Sequence, residues 1–166
     1  MLITSISGIR GTIGGAAGEG LTPHDIVRFA AGYASWLRTS SGQDRPLVVV
    51  GRDARLSGEM VRDVLVGSLN AMGVDVLDLG LSTTPTVELA VPVEEAQGGI
   101  ILTASHNPKQ WNALKLLGPA GEFLNAQEGE AVLTLSKESL EFESIDAIGR
   151  TEHMAGWMET HVDHAL

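Results

Sequence analysis

Three short segments of the chain contain serine, and two of them add glycine and arginine, in a way that suits phosphate binding. They span residues 7–11, 51–58 and 103–108, and each follows a short apolar run. In an open α/β sheet, ligands bind in the crevice beyond the carboxyl ends of the strands. Guanidinium forks and the amides exposed beside glycine are good partners for phosphate oxygens. We therefore expect an anionic ligand, and specifically a phosphate, at these segments.

The charge distribution favours the same ligand. The 166-residue chain has 21 Asp and Glu against 11 Lys and Arg, which gives a formal net charge of −10. Five of the cationic residues lie in or beside the three segments: Arg10, Arg52, Arg55, Lys109 and Lys115. An acidic protein repels a nucleic-acid backbone at long range, so no nucleic-acid partner is expected.

Ser105 is the candidate nucleophile, because it follows an apolar run that predicts a buried strand and has His106 beside it. Neighbouring side chains diverge, and the chain lacks the G-x-S-x-G elbow, so a serine hydrolase is a poor fit. The structural alternative is that Ser105 and Asn107 stabilise the turn before Pro108 through side-chain to backbone hydrogen bonds.

Other simple interpretations stay open when the segments are taken one by one. The glycines at positions 8, 11 and 14 have the wrong spacing for a dinucleotide loop, and no lysine stands in a Walker A loop. Residues 8–11 could form an ordinary tight turn, and Arg52 and Asp53 a local ion pair. Neither nucleotide binding nor a purely local role explains all three segments together.

Four motifs follow one another along the chain. Residues 8–11 read GIRG, residues 51–58 GRDARLSG, residues 103–108 TASHNP and residues 112–115 NALK. In order and spacing they resemble the arginine loop, the G-R-D-x-R-x-S-G segment, the phosphoserine loop and the N-G-x-K element of the α-D-phosphohexomutases. That superfamily contains phosphoglucomutases, phosphomannomutases and phosphoglucosamine mutases. The resemblance covers about residues 2–135, with Ala113 in place of the usual glycine, and implies the first of the family's four domains.

The resemblance implies a role for each motif. Ser105 would pass a phosphoryl group to a hexose monophosphate and recover one from the bisphosphate intermediate, which moves phosphate between C1 and C6 of the sugar. Arg10 and Lys115 would assist charge stabilisation or proton transfer, and His106 would orient the loop. The other motif residues would support the phosphate or the loops: Gly8, Gly11, Arg52, Arg55, Asn107, Lys109 and Asn112. The implied cofactors are one Mg²⁺, bound through the Ser105 phosphate, and a hexose 1,6-bisphosphate activator.

The resemblance also implies parts that these residues do not include. The family's Asp-Gly-Asp-x-Asp metal loop, its sugar-specificity loop and its distal phosphate loop do not occur in the chain. Asp75 and Asp78 cannot replace the metal loop, because they would lie on opposite faces of a predicted strand. We therefore expect a catalytic domain with little or no turnover alone, whose partners are a hexose phosphate and the missing domains of the same protein. The alternative is a noncatalytic phosphate-binding or protein-interaction module on the same scaffold.

The elements that would position these residues alternate between strands and helices. Apolar runs predict strands at residues 2–6, 47–50, 74–79 and 99–102, with Gly51 ending the second, and a hairpin over 113–124. Helices are predicted to begin after caps at Thr22, Ser57 and Thr84, and a fourth helix to span about 127–136. This alternation predicts an α/β fold, a three-layer α/β/α domain with a mostly parallel, mixed sheet. The resemblance implies the same fold.

The domain is predicted to span residues 1–137, a usual size for one core. Residues 138–166 are acidic and lose the strand pattern, so we expect a linker or helical segment that leads towards an absent second domain. The histidines of this tail are expected to be solvated helix residues and not metal ligands. The chain has no cysteine, no secretory signal and no apolar run near the about 20 residues of a membrane span, so a cytoplasmic protein without membrane contact is expected.

Overall fold

Aliphatic runs of the sequence form the strands of a single sheet, and amphipathic segments between them form helices. The computed structural model describes residues 1–6, 8–154 and 156–165, and within these residues the sheet has seven strands. The strands are β1 (Leu2–Ser5), β2 (Gly8–Thr12), β3 (Leu47–Arg52), β4 (Asp75–Leu81), β5 (Gly98–Leu102), β6 (Trp111–Leu117) and β7 (Thr151–His153). The helices are α1 (Pro23–Ser41), α2 (Gly58–Ala71), α3 (Thr84–Val93), α4 (Ala126–Ser136) and α5 (Trp157–Ala165), with a short 3-10 helix at Ile145–Ala147.

The strands lie in the order β1-β2-β6-β5-β3-β4-β7. Strands β5, β3, β4 and β7 pair with parallel neighbours, whereas β1 with β2, β2 with β6, and β6 with β5 are antiparallel pairs. Because β2 and β5 are both antiparallel to β6, β2 runs with the parallel group and only β1 and β6 of the described strands run against it. The prediction of a mixed sheet with most strands in one direction is confirmed.

Helices cover both faces of this sheet, which confirms the predicted three-layer α/β/α fold. On one face α1 packs between α2 and α4, over a core that includes Val48 and Val50. On the other face α3 packs against α5, over a core that includes Val49 and Ile101. Successive residues of a strand point to opposite faces. The unbroken apolar run of β3 is therefore buried on both sides, as its sequence predicts.

Tyr33 joins α1 to the middle of the sheet. Its fully buried hydroxyl donates to the Leu117 carbonyl and accepts a hydrogen bond of 3.0 Å from the Gly99 amide. Burial raises the pKa of Tyr33, so the hydroxyl stays neutral and able to donate. Gly98 makes room for the hydroxyl, because a Cβ at that position would lie only 2.2 Å from the oxygen.

The start of α1 follows the sequence prediction. Thr22 is the N-cap and Pro23 the first helical residue, and Thr22 and Asp25 form a reciprocal capping box. The Asp25 carboxylate also accepts from the Gly18 amide at 3.1 Å and from Arg28 at 3.4 Å. Burial works to raise the pKa of Asp25, but the hydrogen bonds from Thr22, Gly18 and Arg28 outweigh it and hold the pKa below the ordinary value.

The caps of α2 and α3 differ from the prediction. Ser57 stands at the N-cap position of α2, but its side chain makes no capping bond, and its hydroxyl instead accepts from Asn112 at 2.9 Å. The cap of α3 is Thr83, one residue before the predicted Thr84, and Thr83 accepts from the Thr86 amide. Two threonines in succession each satisfy the sequence rule, so the rule alone cannot choose between them.

Three predictions about strands are wrong in detail. Residues 8–11 were expected to be a loop, but Gly8–Thr12 forms β2, paired with β1 on one side and β6 on the other. Gly51 does not end its strand, because β3 continues to Arg52. The expected hairpin after β6 is reduced to one isolated bridge between Leu117 and Phe123. In each case the pairing partner, and not the local sequence, decides the strand's extent.

The tail after residue 137 belongs in part to the sheet. Thr151–His153 forms β7 beside β4, and Trp157 is 3% exposed in the core beneath α3. The expectation of a tail without a strand is wrong, because three residues are too few to leave an apolar pattern. His161 Nδ1 lies 2.8 Å from Thr86 Oγ1, so α5 packs against the domain. The domain boundary and the second domain stay predictions. No helix among the described residues is long and apolar enough to cross a bilayer.

Asp25→Asn is expected to destabilise the domain by about 1–3 kcal/mol at neutral pH, because the amide keeps one acceptor oxygen where the carboxylate has two. The folded-state pKa lies below the ordinary 3.8, so the wild-type advantage is fully present above that value and is lost as the pH falls through the folded pKa. Urea unfolding at pH 7 and at pH 3 measures both effects. Asp44→Asn, in the exposed loop after α1, is the control, and an Asp25→Asn deficit that grows towards pH 3 would contradict the assignment.

Gly98→Ala and Gly67→Ala are expected to change stability in opposite directions. A methyl group at Gly98 collides with the Tyr33 hydroxyl and lies 3.0 Å from Leu37, and such overpacking costs about 1–3 kcal/mol. Gly67 lies exposed within α2, with nothing within 4 Å of an added Cβ, so alanine there stabilises by about 0.5–1 kcal/mol through helix propensity. Thermal unfolding of the two variants tests the pair, and equal shifts would show that the Tyr33 contact does not restrict the position.

Candidate functional site

The predicted phosphate residues meet at a cleft beside the carboxyl end of β5. It has a volume of about 370 Å³. Its floor is formed by β2 and β6, and its rim by residues 103–108, which we call the serine loop. The lining residues are Ser5, Gly8, Arg10, Ala104, Ser105, His106, Asn107, Ala113 and Lys115. The structure thus brings six predicted site residues to one cleft: Gly8, Arg10, Ser105, His106, Asn107 and Lys115.

Strand register places the two cationic side chains of the cleft on the same face of the sheet. Arg10 of β2 pairs with Ala113 of β6, and Lys115 lies two residues beyond Ala113, on the same side. Lys115 in turn pairs with Ile101 of β5, one residue from the end of that strand. Both cations are therefore carried by strands, and not by the loop that the sequence predicted for Arg10.

Lys115 makes the most direct contact with the candidate nucleophile. Its Nζ donates a hydrogen bond of 2.8 Å to Ser105 Oγ. No hydrogen bond joins Ser105 to a histidine within the described residues, and the exposed His106 lines the cleft beside it. The serine is therefore paired with a lysine, and the geometry of a serine hydrolase, in which a histidine contacts the hydroxyl, is not found here.

Ser105 has an unusual backbone conformation. Its φ is 53°, in the left-handed region that non-glycine residues seldom occupy. That conformation costs about 1–2 kcal/mol for a residue with a Cβ. The turn is held by the Ser105 amide, which donates to Thr103 Oγ1 at 3.2 Å, and by the Asn107 amide, which donates to the Ala104 carbonyl at 3.0 Å. Thr103 thus makes the side-chain to backbone bond that the structural alternative expected from Ser105 or Asn107.

Arg55 holds the serine loop from behind. Its Nη2 donates to the carbonyls of Ser105 at 2.9 Å and Asn107 at 2.7 Å, and its Nη1 to those of Pro108 at 2.8 Å and Trp111 at 3.0 Å. Only 12% of the side chain is exposed. The expected role in loop support fits this geometry. A role as phosphate ligand does not, because all four Nη hydrogens are used.

Asp53 orients Arg55 from the β3–α2 turn. Its carboxylate accepts the Arg55 amide at 3.1 Å and lies 3.6 Å from Arg55 Nε. The sequence suggested a local ion pair between Arg52 and Asp53. Arg52 instead donates to the Asp53 backbone carbonyl at 3.2 Å, and the Asp53 carboxylate pairs with Arg55. Arg52 is not one of the described residues that line the cleft. Its buried Nε has no hydrogen-bond partner anywhere in the described part of the chain.

Arg10 is the more exposed cation of the cleft. Its guanidinium carbon lies 5.9 Å from the centre of the Trp111 ring, a cation–π arrangement. Nη1 donates to Asn107 Oδ1 over a long 3.4 Å. Because neither contact uses the whole guanidinium, Arg10 keeps donors that can face an anion in the cleft.

Two further predicted residues lie away from the cleft. Lys109 is exposed and borders a separate apolar depression with Leu56 and Met60, so the structure does not bring it to the serine. Asn112 is fully buried, donates to Ser57 at 2.9 Å and accepts from the Ala113 amide at 2.8 Å. It therefore ties β6 to the start of α2.

The two glycines of the first motif permit close packing of backbones. A Cβ at Gly8 would lie 2.2 Å from the Leu114 carbonyl oxygen, and the φ of Gly8 is 137°. A Cβ at Gly11 would lie 2.7 Å from the Leu21 amide nitrogen. Both residues keep β2 close to its neighbours, and thereby hold Arg10 over the cleft. Ser7, the first residue of this segment, lies outside the described residues.

The described residues do not fit a Mg²⁺ site by themselves. Magnesium prefers oxygen ligands in an octahedral arrangement, with carboxylates in most protein sites. The described lining of the cleft contains no Asp or Glu, and nowhere in the described chain do three or more His, Cys, Asp or Glu side chains converge as a metal site requires. Ser105, as a hydroxyl or through a phosphate, can supply one ligand, so the expected metal needs carboxylates that the cleft does not provide.

Sequence reasoning missed three contributors to the site: Asp53, Thr103 and Trp111. Asp53 and Thr103 each accept an amide two residues ahead, which is the pattern of Asx and ST turns and was available in the sequence. The contact of Trp111 with Arg10 depends on strand pairing between positions about a hundred residues apart. Nothing local signals it.

Comparison with known proteins gives a consistent family. The family model for the phosphoglucomutase/phosphomannomutase alpha/beta/alpha domain I matches residues 2–142. A phosphoglucomutase/phosphomannomutase of Thermococcus kodakarensis is 43% identical over 125 residues, covering 74% of this chain and 27% of that protein. A phosphoglucosamine mutase of Limosilactobacillus fermentum is 40% identical over 143 residues, covering 83% of this chain and 31% of that protein.

A solved structure agrees with the sequence matches. A phosphoglucomutase/phosphomannomutase family protein from Burkholderia thailandensis superposes with a TM-score of 0.74 at 27% identity, covering 92% of this chain and 34% of the other. The chain spans less than a third of the length of the two curated relatives named above. The matched residues 2–142 contain the cleft, the serine loop and all four motifs. The chain therefore belongs to the phosphoglucomutase/phosphomannomutase family and has the fold of that family's α/β/α domain I.

Proposed function

We propose that this chain is the phosphoserine-bearing domain of a phosphohexomutase, in which Ser105 carries the phosphoryl group that is exchanged with a hexose phosphate. The observation that carries the proposal is the 2.8 Å contact between Lys115 Nζ and Ser105 Oγ, made at the floor of a cleft whose other cation is Arg10. Relatives with the names phosphoglucomutase/phosphomannomutase and phosphoglucosamine mutase support the substrate class.

The proposed transfer makes and breaks one bond at phosphorus. An oxygen of the sugar hydroxyl attacks the phosphoryl group on Ser105, the bond from phosphorus to Ser105 Oγ breaks, and the sugar becomes a bisphosphate. The sugar hydroxyl loses one proton to solvent and Ser105 Oγ gains one as it leaves, so a proton from solvent restores the donor and the transfer is balanced in protons. Lys115 Nζ lies within hydrogen-bond distance of that oxygen, so it is placed to deliver the proton and to take it back in the reverse step.

Charge is the second requirement of the transfer. The moving phosphoryl group spreads negative charge over its oxygens, and catalysis consists largely of positioning and electrostatic stabilisation. Lys115 and Arg10 project from paired strands of the sheet, so their positions are set before the reaction begins. His106, exposed beside the serine, is proposed to orient the loop and not to act as the base.

The proposal assigns only part of the active site to this chain. The carboxylates needed for the expected Mg²⁺ and the groups that choose the sugar are proposed to belong to other domains of the same protein. Isolated, the chain is expected to show little or no mutase turnover, with a hexose 1,6-bisphosphate as the phosphoryl donor to Ser105.

Incubation of the chain with glucose 1,6-bisphosphate and Mg²⁺ is expected to place one phosphate on Ser105. Intact-mass measurement and phosphopeptide mapping detect it, and Ser105→Ala should abolish it. If the isolated chain stays bare, the same measurement on the full-length gene product decides, because the proposed metal site is completed there by other domains. A bare Ser105 in both proteins would contradict the proposal and favour a noncatalytic phosphate-binding module.

Lys115→Met is expected to slow the phosphorylation of Ser105 by about 10²- to 10⁴-fold, the usual contribution of a positioned proton donor. The methionine keeps the length of the side chain but has neither proton nor charge. Lys137→Met at the exposed end of α4 is the matched control and should leave the rate unchanged. The rate is measured by quenched-flow mass spectrometry, in whichever form of the protein accepts phosphate. An unchanged rate in Lys115→Met would remove Lys115 from the mechanism.

A further inference from the structure

We propose that Arg55 is a positioning residue, which holds the serine loop in the one conformation that turns Ser105 Oγ towards Lys115. This positioning role deepens the proposed function and rests on it. The hydrogen bonds of Arg55 to the loop are present whether or not Ser105 carries a phosphate. Arg55 lies behind the loop and is not among the described residues that line the cleft, and it reaches two lining residues, Ser105 and Asn107, only through their backbone carbonyls.

The hydrogen bonds that Arg55 already makes limit what else its guanidinium can bind. A guanidinium has five N–H donors in a rigid plane. Four of them donate to the carbonyls of Ser105, Asn107, Pro108 and Trp111, and the fifth, on Nε, faces Asp53 at 3.6 Å. Arg55 therefore has no donor left for a phosphate, and its interaction with the reaction has to pass through the loop.

The four contacts run along the chain from the nucleophile to the strand that carries Lys115. Ser105 and Asn107 lie on the loop, and Trp111 begins the strand that carries Lys115. One side chain thus joins the backbone of the nucleophile to the backbone of the strand that supplies its cationic partner. The distance between Ser105 Oγ and Lys115 Nζ depends on this connection, and so does the left-handed φ of Ser105, which the serine itself would not favour.

Lysine cannot replace arginine in this role. An ammonium group has three donors arranged around a point, whereas four carbonyl oxygens here accept from the planar fork of one guanidinium. Arg55→Lys keeps the positive charge and removes the planar fork. The substitution therefore separates positioning from electrostatics, because a residue that acted by its charge alone would be rescued by lysine.

The chain contains no cysteine, so Ser105→Cys introduces a unique thiol at the nucleophile position as a reporter of its contact with Lys115. A neighbouring ammonium stabilises the thiolate, so the midpoint of the alkylation pH profile with iodoacetamide should lie below the about 8.5 of an ordinary thiol. Adding Arg55→Lys should raise the midpoint by about 1 pH unit, the size of effect that one adjacent charge exerts. Adding Lys115→Met to Ser105→Cys gives the midpoint in the absence of the lysine. Adding Arg45→Lys, at a half-exposed ion pair elsewhere, is the control and should leave the Ser105→Cys midpoint unchanged.

Two results would overturn the proposal. One is a midpoint in Ser105→Cys/Arg55→Lys equal to that in Ser105→Cys with folding intact by circular dichroism. The other is a midpoint in Ser105→Cys that Lys115→Met does not change, which would show that no such contact exists. If Arg55→Lys does not fold, Asp53→Asn replaces it, because it keeps the turn acceptor but removes the charge that orients Arg55. A smaller upward shift is then expected, and no shift contradicts the proposal.

Kinetics separate this proposal from a failure of the proposed function. Alkylation needs no phosphoryl donor, so the thiol result stands even if Ser105 is never phosphorylated. Where Ser105 does accept phosphate, Arg55→Lys should lower the maximal rate by about 10- to 100-fold, the cost of misplacing a reacting group. The donor concentration for half-maximal rate should not change, and a rise in that concentration with an unchanged maximal rate would show that Arg55 binds the donor instead.

Discussion

Four backbone carbonyl oxygens of the serine loop and the adjoining strand converge on the guanidinium of Arg55. Carbonyl dipoles that point at one another repel, and burying them without donors costs the free energy of their lost hydrogen bonds. A cation with a planar set of donors removes both penalties together. The rest of the site depends on this contact, because the strained Ser105 backbone and the Lys115 contact both follow from where the loop is held.

The cations of the site therefore fall into two groups with different physical tasks. The Arg55 side chain is largely buried and donates four hydrogen bonds to backbone carbonyls. Arg10 and Lys115 project from neighbouring strands into the cleft and keep charge available there. A sequence shows only that these residues are basic and close to apolar runs. Whether a given cation serves the loop or the ligand depends on which carbonyls and hydroxyls the folded chain brings to it.

The features that the sequence predicted well are those decided by local interactions. The Thr22 cap, the Pro23 start of α1 and the doubly buried β3 depend on residues within one or two turns or on an unbroken apolar run. The strand at Gly8–Thr12 was missed, because its stability comes from β6, about a hundred residues away, and its glycines serve backbone packing. The edge strand β7 was missed because its three residues are too few to leave an apolar pattern, and its pairing partner is the distant β4. The serine loop was identified by its composition, but its left-handed turn and its attachment to Arg55 are tertiary.

The charge balance of the cleft bears on the reversibility that a mutase needs. A phosphate on Ser105 carries about −1.5 to −2 charges near neutral pH, and Lys115 and Arg10 together offer two positive ones. The phosphorylated cleft is then close to neutral, while the bare cleft presents two cations to an anionic ligand. In the proposed exchange, the charge that leaves Ser105 with the phosphoryl group stays nearby on the sugar bisphosphate. Because both cations project into the cleft beside Ser105, the same pair can serve both halves of the proposed reaction.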